Sequence, residues 1–416
     1  MKGNLIISNV RIVTPVGREA LKGAAMSDLL TISDGCIIIT EGIISYAGSM
    51  EDRPMTRPDE HYDEIDAKGC VALPGFVDSH THLVFGGFRP DEFGWRLQGD
   101  SYMSIMERGG GIQSTVNATR VESMETLKQK AQWFIDRMSE MGVTTVEAKS
   151  GYGLDTATEI KMLDVIGELA SEPEQRLNVV ATFLGAHAVP REYAGRTEEY
   201  VDLMVREMLP AAKGKARFCD VFCERNVFEI GESRRLLKAA SDMGFLLKLH
   251  ADEIVSLGGA ELSAELGAVS ADHLLHVSEK GIKDMADAGV VATLLPLTAF
   301  ALKEEYAPAR RFIDSGVAVA LATDLNPGSC FSGSIPLTIA LACLYMGMTV
   351  EETITALTLN GAAAVGMADR IGSLEAGKQG DVVLLGSDNY NVLPYYVGMN
   401  CVKATIHNGV VVSVNP

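Results

Sequence analysis

Residues 71–82 read VALPGFVDSHTH: a β-rich apolar run that stops abruptly at Asp78, Ser79, His80, Thr81 and His82. Runs of the same kind recur along the chain. Seven more are visible at Thr144–Lys149, Asn178–His187, Phe218–Glu224, Phe245–Glu253, Ala268–His273, Val290–Pro296 and Val317–Asp324. Helical patterns fall between most of them, for example Ser123–Met141, Asp155–Ala170 and Glu232–Met243. Short runs that are apolar throughout and separated by helices predict parallel strands buried on both faces. Eight such units predict an α/β chain folded as a (β/α)8 TIM barrel. A doubly wound open sheet is the competing arrangement. It calls for a glycine-rich phosphate turn after an early strand, and the chain has no G-x-G-x-x-G. Gly109-Gly110-Gly111 follows no strand and opens no helix in that register, so it reads as a loop, a candidate lid.

Outside the barrel the two ends of the chain resemble each other. Residues 4–13 and 36–48 are β-rich, as are 380–386 and 401–414, with Asn408-Gly409 as a hairpin signal. The expected organisation is a small composite β-sandwich domain from residues 1–69 and 368–416, around a catalytic barrel at 70–367. Ile335–Met346 and Glu351–Met367 read as helices that follow the barrel. With 416 residues and 47% apolar content, the chain has ample material for a core. Its 36 basic against 55 acidic residues give a net charge of −19, which disfavours nucleic acid and anionic membrane surfaces. An anionic substrate would need a local Arg or Lys. The seven cysteines form no C-x-x-C pair and read as free, mostly buried thiols. No signal-peptide core and no apolar run of membrane-spanning length is visible, so the expected location is the cytoplasm.

Four of the eight histidines sit at the polar C-terminal ends of proposed strands, the catalytic face of such a barrel. His80 and His82 are two apart, so on an extended chain both face the barrel mouth. His250 ends the fifth run and Asp324 the eighth, where a buried carboxylate must be paired or ligating. Three imidazoles and a carboxylate from strands one, five and eight suit one metal ion. No Lys ends the third or fourth strand, so no modified lysine bridging two ions is expected. His273, ending the sixth run, could be a fifth ligand, could hold the attacking water, or could be a core imidazole.

These segments resemble the amidohydrolase superfamily: PGFVDSHTH, the histidines ending strands five and six, the aspartate ending strand eight, and the return through GSLEAGKQGDVVLL. Further segments (HTHLVFGGFRPDEF, LQGDSY, RGGGI, EAKSGYGL, FLGAHAVP, DVFCE, LHADEI, SADHLLH, YAPAR and ATDLNPGS) extend the likeness over nearly the whole chain. Within the superfamily they are similar to the hydrolases of histidine degradation that open an imidazolone ring. The stretch LLPLTAFAL after strand seven departs from the pattern, which has a Gly and a second Thr there. The resemblance implies metal ligands His80, His82, His250 and Asp324, holding one zinc or iron ion. It implies Glu253 and His273 as catalytic partners, and Arg89, Tyr102, Tyr152, His187, Asn326, Gly328 and Ser329 as contacts to substrate or product. The implied substrate is a small anion, imidazolone propionate, whose ring C–N amide bond is cleaved by metal-activated water to give N-formimidoyl-L-glutamate. A homodimer is implied as well. The alternative is a superfamily deaminase of a small heterocycle, which would need no carboxylate clamp.

Each implied role has a physical reason. Arg89 presents a planar fork suited to a carboxylate, close after the imidazole pair. Tyr152 lies between Gly151 and Gly153, which let a loop approach a ligand. A carboxyl group beside the reacting bond can take a proton from water and pass it to the leaving nitrogen. Strict strand alternation puts Asp252 on the side of His250; assigning the shuttle to Glu253 requires the strand to end at His250.

Overall fold

The computed structural model describes residues 2–56, 61–99, 108, 110–172 and 174–415. Strands β1 (Leu5–Thr14), β2 (Leu30–Thr40), β3 (Ile43–Ser49), β4 (Asp63–Asp66) and β5 (Val71–Pro74) come first. Eight strands then alternate with helices: β6 (Phe76–Asp78), β7 (Val143–Lys149), β8 (Asn178–Ala186), β9 (Phe218–Cys223), β10 (Leu246–Ala251), β11 (Ser270–His273), β12 (Val291–Leu294) and β13 (Val319–Leu321). The chain closes with β14 (Val382–Leu385), β15 (Val402–His407) and β16 (Val410–Val414).

Strands β6 to β13 lie side by side in sequence order, all parallel. The barrel is completed where β6 and β13 run out. Asp324 N donates to the His80 carbonyl (3.0 Å), His82 N donates to the Leu325 carbonyl (2.8 Å), and Thr81 bridges Leu325. Asp78 adds a side-chain stitch, accepting from Thr323 N (3.0 Å) and Thr323 Oγ1 (2.6 Å). The closing seam therefore places His80, His82 and Asp324 side by side. The helices behave as their caps dictate. Met124–Glu140 starts at Ser123, whose hydroxyl accepts from Thr126 N, and Thr156–Ser171 starts at Asp155, which accepts from Thr158 N.

The β-rich ends form one continuous sheet in the order β16-β15-β14-β5-β1-β2-β3, with β4 paired to β1. The hairpin between β15 and β16 turns at Asn408 and Gly409, both at positive φ. The expected single strand over 71–82 is two strands. Val71–Pro74 pairs with β1 and β14, and only Phe76–Asp78 enters the barrel. Gly75 is the crossing point: a Cβ there would lie 2.0 Å from Thr144 Oγ1. The expected helix over 351–367 is likewise broken, into Val350–Leu357 and Leu359–Ala364. Thr358 leaves helical geometry (φ −121°, ψ −91°), and Gly361 then packs against the Val77 carbonyl. Gly111 is not merely loop: at φ +78° it caps the helix Ile112–Val121. Gly109 lies outside the described residues.

Candidate active site

His80, His82, His250, His273 and Asp324 are all buried at the C-terminal end of the barrel. Asp324 Oδ1 lies 3.6 Å from His80 Nε2 and 3.5 Å from His82 Nε2, and the Nε2 atoms of His82 and His250 are 3.5 Å apart. Asp324 and His273 both hold left-handed backbone (φ +53° and +75°), strain of the kind that concentrates at functional positions. Thr298, from the helix Pro296–Leu302 after β12, donates to Asp324 Oδ2 at 2.7 Å and leaves Oδ1 facing the imidazoles.

Two further carboxylates orient the rings. Asp272 Oδ2 is 2.6 Å from His80 Nδ1, and Asp220 Oδ2 is 3.0 Å from His250 Nδ1. Each contact directs the proton to Nδ1 and leaves the Nε2 lone pair pointing inward. Burial, then the charge on Lys149, holds His80 well below the ordinary histidine range; burial, then His187, does the same to His82. For His250 burial is outweighed by Asp220, and the net shift is upward. His80 Nε2 and Asp324 Oδ1 are buried with no hydrogen-bond partner among the described residues. Such acceptors converging without a donor between them are costly unless a cation lies among them. The donor set therefore fits a metal ion: His80, His82 and Asp324 offer ligand atoms within 4.8 Å of one another. His273 groups as closely with His80 and His250.

Glu253 reaches this cluster from the side, its Oε2 3.6 Å from His273 Nε2. Strand alternation would have put Asp252 there. The backbone instead turns left-handed at Asp252 (φ +49°), which swings Glu253 into the mouth. The Asp252 carboxylate points the other way, accepting from the amides of Leu257, Gly258, Gly259 and Ala260 at the start of the helix Gly259–Leu266. Burial and then the Asp324 charge push Glu253 up to about 8. Burial above all keeps His273 well below its ordinary range, and hence neutral.

A cavity of about 280 Å3 is lined by His82, His250, His273, Asp324 and Glu253 together with Arg89, Tyr152 and His187, the last stacked on His82. Arg89 is pressed against Gly328: a Cβ at that position would lie 1.9 Å from Arg89 Nη2. Gly328→Ala is therefore expected to displace the guanidinium and raise KM about tenfold, the scale of a 1–3 kcal/mol overpacking cost. Steady-state kinetics with an unchanged KM would show that the guanidinium has nothing to do there. His187 Nδ1 meets the Gly151 carbonyl at 3.1 Å; burial, then His250, draws its pKa down to about 3, so a neutral ring faces the cavity. Tyr152 is buried beside it, its pKa raised chiefly by burial. Asn326 lines the wall, but its amide is spent inside the loop. It donates to the Asp324 carbonyl and Ser329 Oγ, and accepts from the amides of Gly328 and Ser329 at 2.8 Å each. It thereby also shapes the loop that carries Gly328 and Ser329. Tyr102 lies outside the described residues.

The model of the amidohydrolase family matches residues 71–412. A Bacteroides thetaiotaomicron protein named imidazolonepropionase is 63% identical over the whole of both chains. A Phocaeicola vulgatus protein of that name is 64% identical, covering 98% of this chain and 99% of its own. One from Clostridium tetani is 52% identical over 99% and 98%. The chain belongs to the imidazolonepropionase family of amidohydrolases. Solved structures of low identity share its fold: a 5-methylcytosine deaminase from Klebsiella pneumoniae (TM-score 0.74, 17% identical, 99% and 98% covered) and Escherichia coli guanine deaminase (TM-score 0.71, 17% identical, both chains fully covered).

Several residues that shape this imidazolonepropionase-family site were not singled out in the sequence. Asp220 and Asp272 orient the rings of His250 and His80, and Thr298 comes from the departing LLPLTAFAL stretch. Arg96 and Glu92 line the cavity next to Arg89. Arg96 Nη2 donates to the Gly328 carbonyl (3.2 Å), and Glu92 accepts from Gly111 N (3.0 Å). Asp220 and Asp272 carried a usable signal, since each is a charged residue within a buried strand. Thr298, Glu92 and Arg96 carried none.

Proposed function

We propose that this site hydrolyses the ring amide of 4-imidazolone-5-propanoate to N-formimidoyl-L-glutamate. The observation that carries the reading is a single cavity lined by both the imidazole–carboxylate cluster with Glu253 and the Arg89 guanidinium. His80, His82, His250 and Asp324 would hold one zinc or iron ion. When bound, such an ion supplies Lewis-acid polarisation and a more acidic water. Arg89 takes the propionate, with Tyr152 and His187 against the ring and the Gly328–Ser329 turn closing the wall. Water adds across the ring C–N bond: its oxygen goes to the carbonyl carbon, and one proton goes to the leaving nitrogen. Glu253, with a pKa near neutrality, accepts that proton and delivers it. Neutral His273 donates a hydrogen bond to the oxygen on which negative charge develops. The guanidiniums of Arg89 and Arg96 on the cavity favour an anionic substrate over an uncharged base, although Glu92 sits 3.6 Å from Arg89.

The same reading includes a homodimer in the cytoplasm. No helix among the described residues is long and apolar enough to cross a membrane. The deciding assay follows loss of the ring absorbance of freshly made imidazolone propionate, with product identification and metal analysis on the same sample. Metal-replete protein that leaves the ring intact would refute the reading. Arg89→Ala is expected to raise KM about 10–100-fold, from 1.5–3 kcal/mol for a charged hydrogen bond, with a smaller effect on kcat. An unchanged KM would remove the clamp.

A further inference from the structure

The barrel interior beneath the imidazoles is ionic. Glu147 and Lys149 on β7, Asp220 on β9, Lys248 on β10 and Asp272 on β11 are fully buried. Lys149 Nζ lies 2.8 Å from Glu147 Oε1, 2.8 Å from Asp220 Oδ2 and 3.8 Å from Asp272 Oδ2. Lys248 approaches only Asp272 (3.7 Å) and otherwise donates to the carbonyls of Ser79 and Ala364. Among the described residues, Lys149 is the one ammonium in contact with both Asp220 and Asp272. Those two carboxylates are the ones that hold His250 and His80.

The sharing is atom by atom. Asp220 Oδ1 accepts from His250 N, so Oδ2 alone serves both Lys149 and the His250 ring. Asp272 Oδ1 accepts from Ser270 Oγ, so Oδ2 alone serves the His80 ring with both lysines near it. We propose that Lys149 is a positioning residue of the metal centre, a single buried cation that pins the two carboxylates and, through them, sets two ligand imidazoles at once. The proposal rests on reading His80 and His250 as ligands. Without the ammonium, two buried carboxylates face each other across its position and turn away, taking both rings with them. Removing one partner of a buried ionic cluster also leaves charge uncompensated, which threatens the fold itself. The test must therefore separate charge balance from positioning.

Glu147 allows this: its Oε1 meets Lys149 and Thr182, its Oε2 accepts from Thr81 N at 3.4 Å, which a glutamine oxygen can still do, and among the described residues it makes no hydrogen bond to either imidazole. The readout is the affinity of metal-stripped protein for Zn2+, titrated in competition with a chromophoric chelator, with circular dichroism reporting the fold. Lys149→Met/Glu147→Gln removes the lysine and its extra counter-charge together. It is expected to fold like the parent and to bind Zn2+ about 10–100-fold more weakly, the usual cost of losing an outer partner of a metal ligand. Glu147→Gln alone is expected to keep the parent affinity. Parent-like affinity in the folded double variant would overturn the proposal, as would equal weakening by Glu147→Gln alone. A double variant that does not fold would overturn it too, by assigning the ammonium to the barrel. Unsubstituted protein that binds neither Zn2+ nor Fe2+ would remove the ligand reading as well, and so is distinguishable from the other outcomes.

Discussion

Glu253→Gln is expected to lower kcat about 10²–10⁴-fold while leaving metal content and KM nearly unchanged. That loss is the range for one general acid–base group, about 3–5 kcal/mol of transition-state stabilisation. The amide keeps the shape and can still accept a hydrogen bond, but it cannot carry the water's proton to the leaving nitrogen. The pH profile provides a second check. The shuttle must be ionised to accept, so kcat/KM falls as pH drops through its pKa. Burial and the Asp324 charge place that pKa at about 8, and a cation bound beside Asp324 would pull it down from there. The acid limb belongs between the ordinary 4.5 and 8, and it should be absent from the residual activity of Glu253→Gln. Stability moves in the opposite sense. A carboxyl whose folded pKa lies above its unfolded value binds protons more tightly when folded, so it costs stability as pH rises from about 4.5 to about 8. Metal-stripped Glu253→Gln should therefore melt higher than the parent at pH 8, with equal melting temperatures near pH 4. If Asp252→Asn reproduces the kinetic loss with the metal intact and Glu253→Gln does not, the wrong carboxylate has been assigned. The structure leads to a different result for Asp252: the asparagine keeps one accepting oxygen but loses the charge and the second oxygen that accept amide N–H bonds at a helix start, read as lower stability.

Asp324→Ala is expected to abolish turnover by emptying the metal centre. The change removes the oxygen that lies within 3.6 Å of both His80 Nε2 and His82 Nε2, the carboxylate that faces their inward-pointing ring nitrogens. Substituting partners that only orient ligands costs about 10–100-fold in affinity, so losing a direct ligand should exceed the upper end of that range. Metal analysis after dialysis checks this: one retained equivalent in the variant would exclude Asp324 from coordination. The circular dichroism should be unaffected, since the barrel is closed at this seam by backbone bonds from Asp324 N and His82 N rather than by the carboxylate.

Much of this protein is local information written several times over. Each buried strand announces itself by an apolar run that ends in polar residues, and eight repetitions leave few topologies, because parallel strands joined by helices close in one hand. Imidazoles stand out because they are rare and fall at strand ends, so the gathering of His80, His82, His250 and Asp324 at one end of the barrel was legible in the sequence. Arg89 and Tyr152 were legible only by resemblance, since a loop arginine or tyrosine has no local signature of function.

What the chain could not announce depends on neighbours distant in sequence. Proline, glycine and the apolar period mark Val71–Asp78 as extended, but whether Val71–Pro74 belongs to the barrel or to the terminal sheet is settled by β1 and β14, which lie elsewhere in the chain. The competition between Asp252 and Glu253 turns on one left-handed residue, held there because the amides of the following helix capture the Asp252 side chain. Thr298 and Asp324 meet only because β12 and β13 are adjacent. The ionic layer is the plainest case. Glu147, Lys149, Asp220, Lys248 and Asp272 each break the apolar pattern of a buried strand, and read singly each is an anomaly. Side-chain period and composition are properties of a segment, whereas the pairing of buried charges is a property of the closed barrel. Lys149 meets Glu147 on its own strand but reaches Asp220 and Asp272 only once the strands are assembled, and that pairing makes their burial tolerable.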